Sequence, residues 1–191
     1  MRKMTRMPRT LLPLLLAACG WAAAPHFGLR DTAGAEHTPA EWNGKKAVLL
    51  FFVTIDCPVA NSYVPEMNRI RDDYTSRGVL VWAVQADPTV PQPDVVRYAH
   101  DYHYGFPLIL DSRQSLVAMA GATITPQAAV LTPEGKVLYL GRIDNRVADF
   151  GKQRFKATEA DLRNALDEVL AGKPVSQPFT KSIGCAINRV K

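Results

Sequence analysis

Apolar and polar positions change period several times along the chain, and each change marks an element. Residues Leu11 to Ala18 form a short apolar run behind Arg2, Lys3, Arg6 and Arg9. Residues 25–46 are rich in glycine, proline and polar side chains, with only brief apolar beats, which predicts an extended lead-in. Lys45-Lys46 then gives way to Ala47-Val48-Leu49-Leu50-Phe51-Phe52-Val53. A run without alternation predicts a strand buried on both faces, as central parallel strands are. From Pro58 the period lengthens. Val64, Met67, Ile70 and Tyr74 recur at helical spacing, Pro58 suits a first helical turn, and Gly78 closes the helix. Val79 to Val84 is a second buried strand.

The second half follows the same logic. A helix is predicted from Asp94 to about His103, a short strand over Pro107 to Leu110, and a brief helix over Ser112 to Met119. The β-rich runs Gln127 to Leu131 and Val137 to Leu140 flank Thr132-Pro133-Glu134-Gly135, whose proline and glycine predict a hairpin turn. Thr158 to Leu170 reads as a helix capped by Thr158, with Asp161 three residues on. Its apolar face is Leu162, Ala165, Leu166, Val169 and Leu170. The order is strand, helix, strand, helix, strand, short helix, hairpin, helix. It predicts an α/β domain with a central mixed β-sheet flanked by helices.

The first residues belong to a different problem. A cationic start, a short apolar core and then small residues predict a signal peptide over residues 1–18. Its apolar core is far below the ~20 residues that span a bilayer. Leu16-Ala17-Ala18-Cys19, followed by Gly20, resembles the lipobox of bacterial lipoproteins. That resemblance implies lipidation of Cys19 and a membrane anchor. The alternative is an ordinary signal peptide cut within Trp21 to Ala24. Both predict an exported, periplasmic chain.

Export changes the charge and cysteine arguments. Four of the cations behind the formal net charge of +5 lie in the signal, which leaves +1 for the rest. No clustered lysine and arginine face remains for nucleic acid. The domain plan is a signal over 1–18, one domain over 25–172 and a tail over 173–191 bearing Cys185. With Cys19 assigned, Cys57 and Cys185 are left, and in an oxidising compartment such a pair invites a disulfide. Cys57 opens a helix, where unpaired N–H groups and the positive end of the dipole favour a thiolate, the species that attacks disulfides and peroxides. The competing reading is a buried, inert thiol.

Cys57 to Glu66 reads C-P-V-A-N-S-Y-V-P-E, directly after a buried strand. This resembles the active-site stretch of secreted thioredoxin-like thiol–disulfide oxidoreductases, in which a C-P-x-C unit is followed by a Pro-Glu pair. Pro25-His26-Phe27 and Gly44-Lys45 resemble that family's lead-in, and Thr125-Pro126 its cis-proline loop facing the cysteine. Asp56-Cys57-Pro58, Asn61, Tyr63, Pro65-Glu66, Gly141-Arg142-Ile143-Asp144 and Gly184-Cys185 are together similar to bacterial redoxin-domain proteins. These are described as alkyl hydroperoxide reductase/thiol-specific antioxidant-like. The resemblance implies a thioredoxin-like fold over about residues 25 to 170. It implies thiol oxidoreduction through Cys57 on a protein thiol or disulfide partner or on peroxides, with Pro126 beside it and neither cofactor nor metal.

The chain also departs from these patterns. Ala60 stands where a dithiol enzyme has its second cysteine, so no local disulfide can close. Phe51, six before Cys57, replaces a position often polar in thioredoxin relatives. Peroxiredoxins use a P-x-x-x-T-x-x-C unit and an arginine to position the peroxide. Thr54 matches the threonine, Leu50 replaces the proline, and no arginine falls within Thr125 to Leu131, which leaves Arg142 as the candidate. Cys185 either resolves Cys57 or stays a free or intermolecular thiol in a mobile tail. His100 and His103 read as a solvated helical face rather than metal ligands, and Tyr98, Tyr102, Tyr104 and Phe106 as core and rim packing. Two functional classes remain open: a thiol oxidoreductase, and a catalytically weak module that holds a partner polypeptide between the Cys57 helix and the Pro126 loop.

Overall fold

The computed structural model describes residues 25–189, so the signal segment and Cys19 lie outside the described residues. The lead-in is more structured than its composition implies. β1 (Leu29–Asp31) and β2 (Glu36–His37) pair antiparallel, and a 3-10 turn, Pro39–Trp42, buries Trp42. Its polar residues are spent on one another: the buried His37 ring faces Asp31 with Nε2 and Glu41 with Nδ1, each at 3.1 Å. The buried Asp31 and His37 thus satisfy one another inside the fold.

β3 (Ala47–Val53) is buried at all seven positions, as its unbroken apolar run requires. It is followed by α1 (Pro58–Thr75), β4 (Val79–Gln85), α2 (Gln92–Asp101), β5 (Leu108–Leu110) and α3 (Ser115–Ala120). Then come β6 (Ile124–Thr125), β7 (Gln127–Leu131), β8 (Val137–Gly141), β9 (Val147–Asp149), β10 (Lys152–Gln153), α4 (Asp161–Leu170) and β11 (Cys185–Ala186). The main sheet runs β2-β1-β5-β4-β3-β7-β8, with β3, β4 and β5 parallel and β7 and β8 antiparallel behind them. This is the mixed, helix-flanked α/β sheet that the order of elements predicts.

Side chains of β3 alternate between two cores, because successive residues of a strand face opposite sides. Leu49, Phe51 and Val53 pack with Met67 and Ile70 of α1 and with Leu162 and Leu166 of α4. Val48, Leu50 and Phe52 pack on the other face with Trp42, Trp82, Leu116 and Val117. Phe51 is fully buried on the same side as Cys57, so the floor beneath the site is hydrocarbon.

Helix boundaries differ from the sequence reading in α2, α3 and α4 most of all. α4 starts at Asp161 with Ala160 at its cap position, and Thr158 does not cap it. Instead Asn145 holds Thr158, accepting its backbone N–H and donating to its hydroxyl, both at 2.8 Å. α3 starts three residues later than Ser112, where the Asp111 carboxylate accepts the N–H groups of Ser115, Leu116 and Val117. α2 ends at Asp101, which leaves His103 outside the helix at φ 56°, and both His100 and His103 are exposed.

The segment after Pro174 is docked rather than mobile. Leu140 donates its N–H to the Pro178 carbonyl at 2.9 Å, and the Thr180 and Tyr139 hydroxyls share a hydrogen bond of 2.6 Å. A Cβ on Gly141 would overlap the Thr180 hydroxyl, so only glycine lets the segment lie this close. Beyond it β11 pairs antiparallel with β6, Ile187 enters the second core, and the Asn188 amide donates to Asp87 at 2.8 Å. Backbone pairing and one buried isoleucine seat a stretch that shows no periodicity in sequence.

Candidate active site

Cys57 occupies the N-cap of α1 in extended conformation, and Pro58 takes the first helical position, where a missing N–H costs nothing. Its N–H donates to the Thr54 carbonyl at 3.2 Å, which closes the turn out of β3. The sulfur accepts the Ala60 N–H at 3.5 Å, so one of the helix's unpaired donors points at it. The thiol donates to the Thr125 carbonyl at 3.0 Å, and Cys57 is fully buried. Ala60, standing in place of a local partner, is also fully buried and contributes that capping N–H.

The Thr125–Pro126 peptide is cis, and Thr125 links the two cysteines. In the β11–β6 register Cys185 lies opposite Thr125, whose carbonyl already holds Cys57. The Cys185 side chain is near enough to Cys57 to feel its sulfur, and both are free thiols. Burial, and then the Cys57 sulfur beside it, push the Cys185 thiol up to about 12. Cys185 nonetheless keeps part of its surface exposed. The approach depends on Gly184, where a Cβ would overlap the Thr125 carbonyl oxygen and stand 3.1 Å from Pro126 Cδ. Ile183, one residue earlier, lines a small hollow with Pro126 and Tyr63. Residues 183–185 therefore cover the groove between α1 and the Pro126 loop.

Thr54 is buried at the end of β3, and among the described residues its hydroxyl has no hydrogen-bond partner. Arg142 lines the same small hollow as Pro126 and Ile183, but its guanidinium is engaged elsewhere. Its guanidinium is held by Asp161, at 2.7 Å from Nε, and by Glu159, so it anchors the start of α4. An arginine committed to two carboxylates is not available to position a peroxide at Cys57. Among the described residues no three histidine, cysteine, aspartate or glutamate side chains cluster as a metal site would need. A surface cleft lined by Arg30, Gln85, Asp87, Val95 and Leu110 includes neither cysteine.

Several supporting residues had no role assigned from sequence. The Asn61 amide donates to the Ile55 carbonyl at 3.1 Å, bracing the turn that carries Cys57, and accepts from the Tyr98 hydroxyl at 2.9 Å. Burial above all pushes Tyr98 up to about 12, and its hydrogen bond to Asn61 ties the ring to the turn that carries Cys57. Tyr63 donates to Asp144 at 2.6 Å, and Arg146 stacks over its ring at 4.2 Å. Glu66 accepts from Arg163 at 3.1 Å, tying α1 to α4. Asn61, Tyr63, Glu66 and Asp144 all belong to the motifs that carry the family resemblance. Their spacing could be read in the sequence, whereas the pairing of Tyr63 with Asp144, 81 residues on, and of Glu66 with Arg163, 97 residues on, could not.

Comparison with known proteins finds relatives of the same fold. The thiol-disulfide oxidoreductase ResA of Geobacillus thermodenitrificans is 28% identical over 155 residues, covering 72% of this chain and 87% of the relative. A solved hypothetical protein of Sinorhizobium meliloti superposes with a TM-score of 0.75 at 32% identity, covering 88% of this chain and 93% of its own. The exposed lipoprotein thioredoxin of Streptococcus pneumoniae shares the thioredoxin-like fold, with a TM-score of 0.57 and 19% identity over 74% of this chain and 98% of its own. The AhpC/TSA family model matches residues 22–140, from before β1 to the end of the hairpin that follows the cis-proline. A match over that much of the chain, on a thioredoxin-like fold with a helix-start cysteine facing the cis-proline, makes this chain a member of the AhpC/TSA family.

Proposed function

We propose that this chain is a thiol oxidoreductase of the thioredoxin/redoxin type that cycles between a Cys57–Cys185 dithiol and the corresponding disulfide. The observation that carries the reading is the β11–β6 register, which sets Cys185 opposite the residue whose carbonyl holds the Cys57 thiol. Ala60 removes a local partner, and the docked tail supplies a distant one. With a hydroperoxide as oxidant, the Cys57 thiolate takes the terminal oxygen and a proton and becomes a sulfenic acid, releasing an alcohol. Cys185 then displaces water as the sulfur–sulfur bond forms. With a disulfide as oxidant, Cys57 forms a mixed disulfide and Cys185 displaces the second thiol. Both routes remove two electrons and two protons from the pair.

The binding-module reading needs an open groove between α1 and the Pro126 loop, and residues 183–185 fill that groove. The oxidoreductase reading uses the same contact. One equivalent of hydroperoxide or of a small disulfide is expected to remove two thiols from the reduced chain. Cys185→Ser is expected to lose one thiol and retain the intermediate on Cys57, as a sulfenic acid trapped by dimedone or as a mixed disulfide. Survival of both thiols under either oxidant would contradict the proposal.

The proposal also places the chain outside the cytoplasm, resting on the signal pattern of residues 1–18 and the lipobox ending at Cys19. Among the described residues no helix is long and apolar enough to cross a membrane, and the anchor proposed is a lipid on Cys19. Mass spectrometry of the mature N-terminus is expected to find a lipidated Cys19. An unmodified start beyond Cys19 would remove the anchor from the account.

A further inference from the structure

Strands β9 and β10 form a hairpin that the chemistry at Cys57 and Cys185 does not use. Its root lies against the site. Val147 lines the small hollow shared by Tyr63, Pro126 and Ile183, and its N–H donates to the Tyr63 hydroxyl at 3.4 Å. Arg146, just before it, donates to the Ser62 carbonyl at 3.0 Å, in the half of α1 that begins at Cys57. From there the hairpin runs outward, and every residue from Ala148 to Lys156 is exposed. Two of these are phenylalanines. Phe150 at the tip is 65% exposed and Phe155 on the returning segment 107%, so the fold leaves both rings uncovered. Aromatic side chains held in water beside a site mark a surface that a partner covers.

The charge of the hairpin indicates the kind of partner. Between Asp144 and Lys156 stand four cations, Arg146, Lys152, Arg154 and Lys156, against two acids, Asp144 and Asp149. Among the described residues none of these four cations makes an ion pair. Arg146 and Arg154 donate to the backbone carbonyls of Ser62 and Asn145, which position the guanidinium groups without neutralising them. Asp144 is occupied by the Tyr63 hydroxyl and Asp149 by the Phe150 N–H. In the groove beside Phe155, Glu66 is already paired with Arg69 and Arg163. We propose that this hairpin docks a polypeptide substrate that carries acidic residues and an apolar side chain beside its disulfide. The inference rests on the Cys57–Cys185 pair proposed above and names the class of disulfide that the pair reduces. An anionic bilayer has the same charge, but the position favours a polypeptide. The described chain starts at Pro25, which lies against Gly135 in the turn before β8. The hairpin follows the opposite end of β8, beside the sulfurs.

Matched peptides test the docking. One short peptide has a single cysteine among glutamates and a phenylalanine and is linked to itself as a disulfide; a second has lysines in place of the glutamates. The reduced full chain gives two electrons and two protons to either, which leaves two peptide thiols and the Cys57–Cys185 disulfide. Each rate is divided by that of the same peptide with β-mercaptoethanol, a neutral thiol, to remove the intrinsic difference between the two disulfides. The acidic peptide is expected to react about tenfold faster at low ionic strength. The preference should fall below about twofold in 1 M salt, where the screening length is only about 3 Å. Lys152→Glu combined with Lys156→Glu is expected to abolish the preference, and Phe155→Ala to slow the acidic peptide about fivefold. All three positions are exposed, so thermal unfolding should not move. Equal rates for the two peptides, or a preference that survives the charge reversal, overturn the docking surface while leaving the pair intact. Sedimentation of the chain with phosphatidylglycerol vesicles that is lost in the charge-reversed variant assigns the hairpin to a bilayer and also overturns it. Failure of both peptides and of a small neutral disulfide to oxidise the chain overturns the pair, and this inference with it.

Discussion

Cys57→Ser is expected to abolish turnover on both hydroperoxide and disulfide, a loss on the order of a thousandfold or more for removal of a nucleophile. The fold should survive, because serine is among the favoured N-cap residues and its hydroxyl can accept the Ala60 N–H as the sulfur does. The substitution therefore separates chemistry from stability. Cys57→Ala tests the cap itself and should lower stability by about 1 kcal/mol, the usual consequence of losing an N-cap side chain. Steady-state assays paired with thermal unfolding of the three proteins give both readouts. A Cys57→Ser protein that folds and retains turnover would remove Cys57 from the chemistry.

Gly184→Val is the second large effect, and it acts on the tail alone. Even the first carbon of a side chain at this position would overlap the Thr125 carbonyl oxygen, a backbone atom that cannot swing aside. The cheapest relief is for β11 to leave β6, which withdraws Cys185 from Cys57. Docking makes the encounter of the two sulfurs intramolecular and pre-positioned. An undocked tail retains only the lower effective concentration of a tether. Formation of the disulfide is expected to slow by about tenfold or more. Cys57, buried in the parent chain, should become open to alkylation, and trypsin should cut faster after Lys181. Unchanged disulfide formation would mean that the close approach of Gly184 to Thr125 does not hold the cysteines together.

What could be read from sequence was local. The unbroken run of β3, the helical spacing of Val64, Met67, Ile70 and Tyr74, and the Pro-Gly turn between β7 and β8 each announce an element through neighbours. Cys57 at a helix start was legible for the same reason, and so was Thr125-Pro126 as the loop opposite it. The tail was not. β11 is two residues long, without period or propensity, and what fixes it is pairing with β6 some 60 residues away together with two close approaches, at Gly141 and Gly184.

Thr158 shows the converse failure, since a good capping residue three before an acid was taken by Asn145 before the helix began. Arg142 failed for a similar reason: sequence shows a cation but not the two carboxylates that hold it. The burial of Cys57 was likewise outside the reach of sequence, because the cover is supplied by residues 183–185 at the far end of the chain. A helix-start cysteine thus became an internal sulfur with its partner above it.

The most direct test of the Cys57–Cys185 pair is a non-reducing peptide map of the chain after mild oxidation. One dominant cross-linked species joining peptides 47–69 and 182–189 is expected, absent after reduction and absent from Cys185→Ser. Recovery of the two peptides unlinked, each with a free thiol after oxidation, would contradict it.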